Sequence, residues 1–89
     1  MIFIGYQKIR SDGECNYDET LIGKFSTLYE CFDACLASAV CKYFIYGKGG
    51  KAQGKCYWEK IVSGDENCEE KWIDDGRYDF YKLGTLFYI

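Results

Sequence analysis

Thr27-Leu-Tyr-Glu-Cys31-Phe-Asp-Ala-Cys35-Leu-Ala-Ser-Ala-Val-Cys41-Lys-Tyr-Phe44-Ile-Tyr46-Gly47 runs from a helix start signal into a strand. Ser26 or Thr27 can cap the helix, and Thr27 and Glu30 stand at capping-box spacing, where each side chain can satisfy the other residue's backbone amide. Leu28, Cys31, Phe32, Cys35 and Leu36 recur at three- and four-residue steps, so they form one apolar stripe on a helix over residues 27–37. Glu30 and Asp33 fall in its first two turns, where the helix dipole favours acids. Cys41 to Gly47 is rich in aromatic and β-branched residues and reads as a strand. Cys31 and Cys35 share a helix face, so both must bridge to something packed against it.

Further along the chain, residues 48–55 hold three glycines and three lysines and read as a mobile, basic loop. Cys56-Tyr57-Trp58-Glu59 is the return strand, which makes this region a long hairpin. Residues 2–10 are β-prone and end at Asp12-Gly13, a turn pair. Residues 14–25, punctuated by Gly23, read as a loop. Residues 63–76 are acidic and turn-rich, with Lys71-Trp72-Ile73 as a short strand, and residues 77–83 alternate as another strand. Leu86-Phe87-Tyr88-Ile89 either pairs with the N-terminal strand or frays. No repeat, low-complexity tract or linker divides the chain, so residues 1–89 read as a single domain.

A domain of 89 residues buries only ~60% of its unfolded surface and needs help to be stable. Six cysteines supply it, and an even set in so short a chain marks an oxidising compartment. No apolar run approaches the ~20 residues of a membrane span, so no membrane insertion is expected. Met1-Ile2-Phe3-Ile4 is too short for a signal-peptide core, so the chain reads as an excised mature domain or a cytosolic protein, and the cysteines favour the first. There is no Asn-x-Ser/Thr acceptor for N-glycosylation.

Six cysteines allow 15 pairings, and spacing alone does not select one. Helix geometry makes one choice the simplest. Cys41 lies just past the helix end, within reach of Cys35, and Cys56 on the return strand can cross to Cys31, which leaves Cys15 with Cys68. Zinc held by four thiolates is the alternative, but there is no Cys-x-x-Cys and no histidine, and two cysteines would be left over. No metal and no cofactor are therefore expected.

The helix bearing Cys31 and Cys35, then Cys41-Lys-Tyr-Phe44-Ile-Tyr46, then Lys55-Cys56-Tyr57-Trp58, resembles the PAN/apple module. Tyr78-Asp-Phe-Tyr81-Lys-Leu is similar to the last strand of many such modules, and the likeness covers about residues 10–83. The resemblance implies an α+β fold, a five-stranded antiparallel sheet carrying one helix. It also implies the bridges Cys31–Cys56, Cys35–Cys41 and Cys15–Cys68. The last departs from the apple pattern, because neither cysteine sits near a domain end. Extracellular adhesion to proteins or carbohydrates is the role the family implies.

With no histidine, the usual Ser-His and Cys-His nucleophiles are missing, and no enzymatic activity is expected. Asp74-Asp75 or Glu69-Glu70 could supply acid and base, but adjacent residues on exposed chain point apart. Calcium binding by residues 65–75 lacks EF-hand spacing, and a solvated acidic loop is the preferred reading. The net charge of −3 argues against nucleic acid. The charge is uneven, though. Residues 42–60 carry five lysines against Glu59, while residues 12–33 carry six acids against Lys24 and residues 65–79 seven against Lys71 and Arg77.

The candidate ligand-binding residues are thus Lys48, Lys51 and Lys55 in the loop, Lys42 and Lys60 on its flanks, and Tyr43. If Phe44 and Tyr46 face the core, Tyr43 on the opposite strand face is free to stack on a sugar or anchor an interface. The lysines suit a sulfated or sialylated glycan or an acidic protein patch, against the plainer reading of loop charge kept for solubility. The expected partner is a cell-surface or matrix protein or glycan. The alternatives are a structural module that docks sister domains or self-assembles, and a secreted inhibitor, which the floppy glycine loop counts against.

Overall fold

The computed structural model describes residues 2–16, 18–61, 68 and 72–88. Its strands are β1 (Ile2–Arg10), β2 (Gly13–Cys15), β3 (Glu19–Lys24), β4 (Tyr43–Gly47), β5 (Lys55–Glu59), β6 (Trp72–Asp74) and β7 (Tyr78–Tyr88). The helix α1 (Leu28–Leu36) lies between β3 and β4. Five strands form one antiparallel sheet in the order β1-β7-β4-β5-β3, and β2 pairs with β6 as a separate two-stranded ribbon.

The helix starts where the sequence places it. Thr27 is extended, its hydroxyl accepts from the Glu30 amide, and the Glu30 carboxylate accepts from the Thr27 amide. Cys31, Phe32 and Cys35 are buried, but Leu36 at the end of the stripe is exposed. The helix closes one core with Phe44 and Tyr46 of β4, Cys56 of β5 and Tyr81 of β7, and Tyr6, Ile22 and Trp58 pack at its margin. Phe44 stacks on Tyr81 at 5.1 Å, and the Tyr6 ring meets Phe32, Phe44 and Tyr81. The Tyr46 hydroxyl donates to the Phe25 carbonyl at 2.8 Å, which gives its buried polar end a partner.

The other sheet face is covered as well. The ribbon, Cys68 and a short 3-10 turn (Gly50–Ala52) enclose Cys15, Tyr43, Ile45, Ala52, Tyr78 and Phe80. Strand β4 therefore sits at the middle of the sheet with every residue buried. Such a strand shows no alternation, because neither face meets water. This corrects the expectation for Tyr43. It is only 7% exposed, and its ring stacks on Phe80 at 5.9 Å.

Three disulfides are present, Cys31–Cys56, Cys35–Cys41 and Cys15–Cys68, and all six cysteines are buried. The first two fasten α1 to β5 and to the approach of β4, and the third fastens β2 beneath the second face. Disulfides of this number belong to an oxidising compartment. No helix is long and apolar enough to cross a membrane.

Two further differences from the sequence expectation are local, and the C-terminal residues take one of their two expected courses. Residues 14–25 hold the ends of β2 and all of β3 rather than a loop. The segment after β4 is not a loose loop. The Gly54 amide donates to the Gly47 carbonyl at 2.9 Å, the Phe25 amide to the Gly54 carbonyl at 2.8 Å, and Ala52 is buried. A Cβ at Gly47 would collide with the Ala52 carbonyl, and Gly54 has φ +83°, so both glycines are needed for this close turn. Finally, Leu86 and its neighbours continue β7 and pair with β1, from Ile2 opposite Tyr88 to Ile4 opposite Leu86. The expected strand at Lys71-Trp72-Ile73 appears as β6, although Lys71, like residues 62–67, Glu69, Glu70 and Ile89, lies outside the described residues.

Candidate functional site

The hairpin geometry divides the five candidate lysines. Because β4 and β5 are antiparallel, Lys42 before β4 lies at the same end as Lys60 after β5. Lys48, Lys51 and Lys55 lie at the turn end, about 17 Å away along five residues of strand. There is no single basic lobe of five.

Lys48 is already engaged. Its ammonium lies 2.6 Å from Asp12 Oδ1 and 2.8 Å from Asp79 Oδ1, and Lys8 reaches Asp79 Oδ2 at 3.3 Å. The Asp12 amide also donates to Asp79 Oδ1 at 3.0 Å. Burial works against the charged form of Asp79, but the Lys48 ammonium, the Asp12 amide and Lys8 outweigh it and hold the carboxyl below its usual range. The two carboxylates raise the Lys48 pKa. Lys48 is thus a clasp between the hairpin end and the β1–β2 turn. Two regions of opposite charge, apart in sequence, meet there.

Lys60 holds its ammonium over the Trp58 ring at 5.0 Å, and Lys42 is exposed beside β4. Lys51 is exposed in the 3-10 turn. Lys55 has a neighbour that sequence reasoning missed. Lys24, set among acidic residues in the chain, stands directly opposite Lys55 across the β3–β5 ladder. None of Lys24, Lys51 and Lys55 pairs with a carboxylate among the described residues. Like charges directly opposite on a sheet repel, so this pair is held together by the fold rather than by its own interaction.

Of the two acidic pairs weighed in the sequence, Glu69–Glu70 lies outside the described residues and Asp74–Asp75 is engaged elsewhere. Asp74 is exposed and accepts from Arg10 at 3.1 Å, while Asp75 accepts two bonds from the Arg77 guanidinium at 2.9 and 2.8 Å. Arg10 also stacks on Trp72 at 4.8 Å. With Asp74 and Asp75 tied to arginines, the two described acids near the end of segment 65–75 do not converge on a common point.

A different acidic group does converge. Glu14 of β2, Glu19 at the start of β3 and Glu59 at the end of β5 each bring a carboxylate oxygen within 4.8 Å of the others. Glu19 faces Glu59 directly across the ladder. Glu59 follows Tyr57 by two residues and so shares its sheet face, the one the ribbon covers. It is 1% exposed, no donor group faces either of its oxygens, and its hydrogen-bonding neighbour is another carboxyl, that of Glu19. Burial pushes its carboxyl up to about 9, and Glu19 and Glu14 push the same way. Glu14 and Glu19 are also raised, chiefly by burial. The sequence held one signal for this, an acid at an inward position of the apolar run Cys56-Tyr57-Trp58-Glu59. Its partners were invisible because β2 and β3 read as loop.

Compared with known protein families, curated protein sequences and solved structures, the chain matches none.

Proposed function

We propose that the chain is an extracellular binding module of PAN/apple type, which recognises an anionic partner through Lys24, Lys51 and Lys55 at the turn end of the β4–β5 hairpin. The cross-strand Lys24–Lys55 pair carries this reading. Two lysines directly opposite on a ladder, neither paired with a carboxylate among the described residues, cost stability, and an anionic ligand relieves that cost. The turn that carries Lys51 is tied to β3 and β4, so little ordering entropy is lost on binding. A sulfated or sialylated glycan is the anionic partner this reading takes. The PAN/apple reading draws support from the helix stapled by Cys31 and Cys35 and from the five-stranded antiparallel sheet. Three disulfides support the extracellular setting.

The test is retention on an immobilised sulfated glycan with rising salt, followed by a glycan array. Binding is expected to fall with salt and to vanish when Lys24, Lys51 and Lys55 are all changed to Ala. Blank results on every sugar, or retention unchanged in the triple variant, would reject the glycan reading.

A second reading, self-assembly or docking of sister domains, is favoured by the outer strands. β1 and β3 bound the sheet, with Ile4 and Leu21 exposed on them at 46% and 53%. An outer strand leaves backbone groups open to another chain. Sedimentation that stays monomeric at high concentration would remove it.

A further inference from the structure

Two carboxyls are buried in the described structure, and they are treated differently. Asp79, 6% exposed, receives Lys48, Lys8 and the Asp12 amide. Glu59, 1% exposed, receives no donor on either oxygen and is aimed at two further carboxylates. A buried charge without compensation is strongly unfavourable, so Glu59 must either take a proton or face a cation. A proton would let Glu59 donate to Glu19 from one oxygen and would leave the other oxygen bare. Arg77, whose charge is felt at Glu14, is committed to Asp75 by two hydrogen bonds. A metal ion would engage all three residues together.

The geometry points to a calcium site in which Glu14, Glu19 and Glu59 are the protein ligands, bridging the β2–β6 ribbon to the β3–β5 edge of the sheet. Carboxylate oxygens are hard ligands suited to calcium, magnesium or manganese. Two oxygens on one calcium, bound at 2.3–2.6 Å, can stand up to about 5 Å apart, while magnesium at 2.0–2.1 Å limits them to about 4 Å. The three oxygens lie within 4.8 Å of one another, a span that one calcium ion can bridge. Three carboxylates can supply up to six oxygens, and water completes the shell. Ribbon and sheet meet at this point, so the ion would act as a fourth staple, reversible where the disulfides are not. An affinity on the order of 10⁻⁴–10⁻³ M, as in extracellular modules, suits three ligands drawn from separate strands.

Protein stripped with a chelator is titrated with calcium chloride by calorimetry, and its thermal unfolding is followed in parallel. One saturable site per chain and a melting temperature that climbs and plateaus below about 10 mM are expected. Glu59→Gln keeps the shape of the side chain and removes its charge. It is expected to melt higher than the parent without calcium and to bind calcium at least about tenfold more weakly. Glu19→Gln, at an exposed position, serves as the second variant and should weaken binding similarly. No heat and no melting shift in the parent up to that concentration would overturn the site and leave a proton shared by Glu59 and Glu19. An unchanged response in both variants, or an equal response to magnesium at the same concentrations, would overturn the assignment too.

Discussion

On one face of the central sheet, α1 lays Cys31, Phe32 and Cys35 over Phe44, Tyr46, Cys56 and Tyr81. On the other, a short ribbon and a 3-10 turn cover Tyr43, Ile45 and Phe80, and Glu59 is sealed in beside them. The helix face is closed by one continuous segment whose own hydrogen bonds are satisfied internally and whose start is capped. The ribbon face is closed by residues 13–15 meeting residues 72–74, with a bridge across 53 residues of chain. A face built from local structure needs little from distant sequence. A face built from three-residue strands depends on covalent and ionic fastening, because so short a pair cannot hold itself. That is where the third disulfide and the triple-glutamate group sit.

The largest effect is expected on the helix face. Phe44 is fully buried at the centre of both the sheet and the aromatic cluster, so Phe44→Ala should cost about 3–5 kcal/mol in chemical denaturation. A cost below about 1 kcal/mol would show that the helix core does not carry the fold.

The disulfides come next and separate the faces directly. Chain entropy gives about 4 kcal/mol for the Cys15–Cys68 loop and about 2 kcal/mol for Cys35–Cys41, from separations of 53 and 6 residues. Replacing Cys15 and Cys68 by Ser should also raise amide exchange in β2 and β6 while α1 stays protected. Equal loss of protection on both faces would erase the contrast.

pH sharpens it further. The folded Glu59 carboxyl, at about 9, lies above its ordinary 4.5, so between those values the native chain keeps a proton that the unfolded chain has released. Its contribution is complete below the unfolded value and drains away as pH rises towards the folded one. With calcium chelated, urea unfolding should show stability falling from pH 5 to 8, by at most about 1.4 kcal/mol per unit for each such proton. Glu14 and Glu19, raised in the same direction, share in this slope. Glu59→Gln should flatten it, and an equally steep profile in that variant would place the effect elsewhere.

The smallest expected change is at the helix cap, where Thr27→Ala should cost about 1 kcal/mol. On the charged surface, Lys48→Ala should lower the melting temperature and leave glycan retention intact, whereas Lys51→Ala should do the reverse, because only Lys48 bridges Asp12 and Asp79. Matching behaviour in the two variants would undo the division of the basic loop.

Much of the helix face could be read in advance, since its signals are local. The Thr27–Glu30 box and the spacing of Cys31 and Cys35 each depend on a few neighbouring residues. The ribbon face was read poorly for the same reason. Gly13-Glu14-Cys15 has no periodicity to find, and its partner strand lies some sixty residues away. Alternation would leave Tyr43 on an open face, but the unbroken apolar run of β4 means burial on both sides. Lys24 was counted with the acids around it, and only the ladder shows that it belongs beside Lys55.

The sequence by itself determined an α+β domain of one helix and several strands, stapled by three disulfides whose simplest pairing proved to be the observed one. Helix periodicity, capping and cysteine reach act over a few residues and need no knowledge of the rest. Only the tertiary structure decided which lysines stand together, that Lys48 is spent on Asp12 and Asp79, and that Glu14, Glu19 and Glu59 converge. Charges interact through space, and the distance between two of them is set by strand register and layer packing rather than by their separation along the chain.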